Sequence, residues 1–215
     1  MPTIRRVYLY LILAASLGTL SSGVILLLRS LLDVIFQTQP DSDALASQLL
    51  NAGALLIVGL PIWAGHWWYT THLIRQDPEE RTATLRRLYL YAVLVAAVIT
   101  ATMPGAYVAL RSLIDWLIFP TGSLYRCFQA LPLILVGEAI WLYHWRLAGQ
   151  ERAAAGETGG SATLRRWYVY GVSAGALLFL VHSTARLIEL LWRQALAPGS
   201  ADLVNVVAAP VAAAP

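Results

Sequence analysis

The octapeptide Thr84-Leu85-Arg86-Arg87-Leu88-Tyr89-Leu90-Tyr91 decides how this chain is read. Thr3-Ile4-Arg5-Arg6-Val7-Tyr8-Leu9-Tyr10 carries nearly the same letters near the N-terminus, and Thr163-Leu164-Arg165-Arg166-Trp167-Tyr168-Val169-Tyr170 repeats them late in the chain. Each copy leads directly into a long apolar run. An arginine pair thus falls at the start of the run, with two tyrosines within its first turns. Arginine at the end of a membrane helix marks the cytoplasmic side, and tyrosine favours the headgroup layer. The three copies predict three helices that enter a bilayer from the same side.

Composition agrees. A soluble domain carries about a quarter of its residues as charges, whereas this chain is 13% charged and 58% hydrophobic. So much apolar surface cannot be hidden from water in 215 residues, and lipid is the natural solvent. The fifteen basic residues are all arginine and give a net charge of only +3. They lie in short clusters beside apolar runs, a pattern of membrane orientation and not of a nucleic-acid surface. A lone cysteine, Cys127, excludes an internal disulfide and a cysteine-rich metal site. The run from Val7 to Leu28 is longer than the apolar region of a secretory signal, about 7–15 residues, and is read as a retained span.

A helix needs about 20 apolar residues to cross the hydrocarbon. Five runs qualify: Val7–Leu28, Leu49–Thr70, Leu88–Leu110, Phe128–Trp145 and Trp167–Leu191. Polar, turn-forming pieces separate them, such as Gln37–Asp43, Arg75–Arg81 and the glycine-rich Ala155–Ser161. No strand-like alternation competes. The expected fold is an all-α polytopic transmembrane bundle of five spans, one domain covering 1–202. The tail 203–215 is apolar but too short to cross; it reads as a truncated sixth span or as a segment at the outer surface. Ten arginines fall on one side of this arrangement and five on the other. The richer side is cytoplasmic, which places the protein in a bacterial inner membrane with its N-terminus inside and its C-terminus outside.

The far ends of the odd spans also recur. Arg29-Ser30-Leu31-Leu32-Asp33 matches Arg111-Ser112-Leu113-Ile114-Asp115, with a looser copy in Arg186-Leu187-Ile188-Glu189. An arginine three or four residues before an acid puts both charges on one helical face. Arg29–Asp33, Arg111–Asp115 and Arg186–Glu189 are therefore expected as interfacial charge pairs, with a charged pocket for an anion or partner as the alternative. The even spans share Gly59-Leu60-Pro61-Ile62-Trp63-Ala64-Gly65-His66-Trp67 and Gly137-Glu138-Ala139-Ile140-Trp141-Leu142-Tyr143-His144-Trp145. The unit is a helix pair, repeated in the same orientation two and a half times, as in parallel repeats related by an axis along the membrane normal.

Taken together, the Arg-Arg-x-Tyr-x-Tyr starts, the Arg-x-Leu-x-Asp ends, and the Gly-x-x-x-Trp-x-x-His-Trp signature resemble a bacterial family of unknown function. Its members are multi-spanning membrane proteins built from tandem two-helix repeats. The resemblance covers nearly the whole chain and implies the architecture; it implies no activity, cofactor or substrate. The chain departs from the family pattern by lacking the last half-repeat.

Few residues invite chemistry. Glu138 falls near mid-membrane, where a carboxylate costs about 3 kcal/mol and usually faces a bundle interior or a wet cavity. The expected role is a structural hydrogen bond, for instance to Ser173 at similar depth; an ion or proton route is the alternative. His66 and His144 occupy equivalent positions near the cytoplasmic interface, among Trp63, Trp67, Trp68, Trp141 and Trp145. They read as part of the aromatic belt, with haem or chlorin ligation as the alternative. His182 joins the outer polar cluster, and His72 is a solvated residue at the inner end of the second span.

Signatures of metalloproteases, P-loops and dinucleotide sites are missing. Gly171-Val172-Ser173-Ala174-Gly175 matches the letters of a nucleophile elbow, but it lies inside a span and reads as a small-residue face for close helix approach. No cofactor and no metal are predicted. The expected partners are the bilayer and other membrane subunits or further copies of the chain. The expected role is a non-catalytic structural or accessory subunit of a membrane assembly. The alternatives are a small transporter or channel using Glu138 and a pigment-binding protein using His66 and His144.

Overall fold

A computed structural model describes residues 3–36, 42–118, 124–156 and 159–196. Among the described residues the chain is helical throughout, with no strand. Helix α1 spans Thr3–Ile35 and α2 Ser42–Gln76; a 3-10 turn at Pro78–Thr82 leads to α3, Thr84–Ala97. A π-turn at Val98–Thr102 joins α3 to α4, Met103–Ile118. Helix α5 runs over Tyr125–Ala155 and α6 over Gly159–Leu196. Four helices are long and apolar enough to cross a membrane: Thr3–Ile35, Ser42–Gln76, Thr84–Leu113 and Tyr125–Ala154. The fifth expected run, Trp167–Leu191, lies within α6. The tail 203–215 lies outside the described residues.

Helices α1 and α2 form one antiparallel hairpin, and the α3–α4 rod forms a second with α5. Helix α1 packs on α3 and α5, and α6 packs on α3. Without a hydrophobic drive between helices in lipid, close packing of small residues supplies the contact. Gly59 provides it in the first hairpin: a Cβ there would lie 2.8 Å from the Leu20 backbone nitrogen. Gly137 does the same in the second, where a Cβ would meet the Thr102 nitrogen at 3.0 Å. These are the glycines that open the shared signature of the even spans.

The π-turn has a cause in the sequence. Tyr10 and Tyr91 are 81 positions apart, but Arg29 and Arg111 are 82 apart, so the second odd helix carries one extra residue between its motifs. A π-turn absorbs a single inserted residue without ending the helix. It sits directly before Pro104, which cannot donate to the Thr100 carbonyl and whose ring would crowd it in a regular α-helix. At the far end of the second hairpin, α5 stops at Gly156, whose φ of 69° is the left-handed conformation glycine adopts at little cost.

Candidate functional site

The N-terminal ends of α1 and α3 and the C-terminal ends of α2 and α5 meet in an aromatic and charged cluster built from the recurring motifs. Tyr10, Leu13 and Leu17 of α1, Tyr89, Leu90 and Val93 of α3, and Ala148 of α5 form its buried centre. Trp63 and Trp67 of α2 pack against it, their rings stacked 5.9 Å apart. Tyr10 stacks on Tyr89 at 5.4 Å. The Trp67 ring lies 6.1 Å from His144 and 5.7 Å from Tyr143, both edge-on.

His144 is only 1% exposed. Its Nδ1 donates to the Ile140 carbonyl at 2.8 Å, which leaves Nε2 as the bare nitrogen of the neutral ring. That atom is buried with no partner in hydrogen-bond geometry among the described residues, as are Trp63 Nε1 and the Tyr89 hydroxyl. His66 makes the same backbone bond to Ile62, also at 2.8 Å, but lies half-buried beside Tyr8 at the edge of a groove. The two histidines have equivalent positions and local bonds, yet one is enclosed by aromatic rings and the other borders open space. His144 does not line the groove that His66 lines.

Among the described residues two ion pairs fasten these ends. Arg86 of α3 pairs with Glu151 of α5, and both side chains are buried. The Arg86 guanidinium also lies 5.9 Å from the Trp67 ring centre. Arg6 of α1 grips Glu80 through two hydrogen bonds, of 2.6 and 3.0 Å. Burial raises the Glu80 carboxyl, but its hydrogen bonds and charge interactions with Arg6 and with the N-terminal amine together outweigh it and hold it below the ordinary carboxylate range. Arg87 is buried, pairs with no acid among the described residues, and donates to the carbonyls of Arg81 and Ala148. Sequence reasoning missed the Arg86–Glu151 pair, whose partners are 65 positions apart.

The opposite ends of α1 and α5 hold a second polar cluster. Arg29 Nε donates to the Gln129 carbonyl at 3.1 Å, and Asp33 accepts from the Tyr125 hydroxyl and from Gln129 Nε2. Both expected charges therefore bond across to α5. The side chains of Asp115 and Arg186 lie outside the described residues; Arg111 and Glu189 are half-buried. Tyr125 and Gln129 were not anticipated, since one tyrosine and one glutamine at the start of a span carry no pattern.

Glu138 is half-buried and makes no hydrogen bond to a described residue, while Ser173 is exposed on α6; the two are not brought together. His72 stacks on Trp68 at 5.6 Å and its ring meets Gln76, and His182 is exposed.

The family model of a domain of unknown function, DUF5671, matches the chain twice in tandem, over residues 6–131 and 110–215. The chain belongs to this family. No curated protein and no solved structure matches it. The first DUF5671 match, from residue 6, holds most of the α1–α2 hairpin and the second octapeptide, so most of the aromatic cluster falls within it.

Proposed function

We propose that this chain is a non-catalytic structural component of a membrane assembly, built from tandem two-helix units. It sits in a bacterial inner membrane with its N-terminus and arginine-rich ends on the cytoplasmic side. Helix α6 supplies the fifth span.

One observation carries this reading: the residues of the recurring motifs are engaged in joining helices. Tyr10 stacks on Tyr89 with ring planes 27° apart, and Tyr91 stacks on Tyr168 of α6 at 30°. Trp67 packs on Tyr89 at 6.5 Å, and Trp145 on Tyr168 at 6.4 Å. In each case the second tyrosine of one copy and the tryptophan that follows the signature histidine in its helix pair hold the first tyrosine of the next copy. The octapeptide is the joint between successive units. Aromatic pairs of this kind add about 0.5–1.5 kcal/mol each beyond their area.

Extraction in a mild detergent and affinity capture of tagged full-length chain tests the reading. Stoichiometric recovery of other membrane chains, or of untagged copies, is expected. A lone monomer that conducts ions in liposomes contradicts it.

A further inference from the structure

The joint between units leaves two faces exposed. Tyr8 is the first tyrosine of the first copy. It is 58% exposed, whereas its counterpart Tyr89 is 5% exposed beneath Tyr10 and Trp67. The Tyr8 ring lies 6.5 Å from that of His66, which borders a groove of 510 Å³ lined by Leu9, Pro61, Ile62, Gly65, His66 and Tyr69. Shifted by one unit, Leu9, Ile62 and His66 become Leu90, Ile140 and His144; Trp63 and Trp67 of the preceding unit pack on the core that contains Leu90, Trp67 lies against His144, and Ile140 packs on that same core. The groove is the same receptor without its aromatic insert.

Helix α6 presents the opposite end. Tyr170, the second tyrosine of the third copy, is 67% exposed, and Trp167, three residues before it on the same helical face, is 73% exposed. Their positions correspond to Tyr91 and Leu88, in the copy where Tyr91 already holds Tyr168. Beside them Gly171 and Gly175 meet no neighbour within 4 Å, so a further helix could approach α6 closely.

We infer that a second copy of this chain docks head to tail, with the Trp167–Tyr170 face of α6 seated on the Tyr8–His66 groove of its neighbour. This rests on the structural reading above and names the partner. The contact continues a joint made twice within the chain, and all three copies of the octapeptide enter from one side, so both faces lie at the same membrane depth. Such a contact is heterologous and generates rings or open rows, not two-fold dimers.

Thiol cross-linking in native membranes tests it. In a Cys127→Ser background, Tyr8→Cys and Tyr170→Cys are placed in one full-length chain, singly and together, and treated with a short bifunctional thiol reagent. Tyr91→Cys with Tyr168→Cys, an internal joint, reports on reagent and fold. The doubly substituted chain is expected to give a ladder of dimers, trimers and larger products, and each single variant to stay monomeric. Co-expressed Tyr8→Cys and Tyr170→Cys chains are expected to give a mixed dimer. A Tyr8→Cys chain that cross-links to itself as readily overturns the inference, because the contact is then two-fold. No intermolecular product while the internal pair reacts also overturns it and leaves lipid over the groove. Recovery of other membrane proteins in the affinity capture would still support a structural role in that event.

Discussion

Tyr91 of α3 stacks on Tyr168 of α6 with ring centroids 5.3 Å apart, and Tyr10 of α1 stacks on Tyr89 of α3 at 5.4 Å. A near-identical contact formed by corresponding residues is the signature of a joint, and it makes a quantitative demand. Double-mutant cycles on Tyr10/Tyr89 and on Tyr91/Tyr168, read by unfolding in mixed micelles, should each give a coupling of about 0.5–1.5 kcal/mol. Coupling confined to one pair would remove the equivalence.

The Tyr89 hydroxyl is buried with no partner in hydrogen-bond geometry among the described residues. Removing an unpaired polar group is close to neutral or stabilising, because its desolvation is no longer uncompensated. Tyr89→Phe is therefore expected to leave the unfolding midpoint unchanged or raised, while Tyr89→Ala lowers it. A clear loss in Tyr89→Phe would mean that the hydroxyl is bonded.

Arg86 and Glu151 form a buried pair between α3 and α5. Glu151→Gln leaves a buried guanidinium uncompensated and should cost about 3–5 kcal/mol; replacing both partners with Met and Leu should recover most of it. The comparison of single and double variants, by unfolding midpoint, checks this.

Helix spacing gives a sharper contrast. Gly59→Ala pushes a methyl group into the Leu20 backbone and should destabilise by about 1–3 kcal/mol. Gly53→Ala, on the same helix and facing open space, should be neutral or slightly stabilising. Equal effects at the two sites would mean that α1 and α2 do not cross at Gly59.

Glu80 carries the pH dependence. Its folded carboxyl titrates below the ordinary value of about 4.3, so the Arg6–Glu80 contact contributes in full above that value and is lost as pH falls through the lower, folded value. Thermal stability of the wild type should drop over that acid window, and Glu80→Gln should flatten the drop. An unchanged profile in Glu80→Gln would place the acid-sensitive group elsewhere.

Much of the architecture was legible because apolar length and arginine placement act locally. The runs located the helices but undercounted their length: Phe128–Trp145 became Tyr125–Ala155, since the helix continues beyond the apolar stretch to Glu151, which pairs with Arg86 of α3. The equivalence of His66 and His144 was also legible. Their difference was not, because enclosure of His144 depends on Trp67 from the preceding unit, and His66 has no preceding unit within the chain. The extra residue between Tyr91 and Arg111 was present in the spacing, but its π-turn follows only once α4 must keep Gly105 against α5.

Accessibility of single cysteines to a membrane-impermeant maleimide tests the central claim, that successive helix pairs cross the bilayer in one orientation. In the Cys127→Ser background, Phe36→Cys should label in intact cells, while Gln76→Cys and Ala153→Cys should label only after the membrane is opened. Labelling of Gln76→Cys and Ala153→Cys from opposite sides would contradict it.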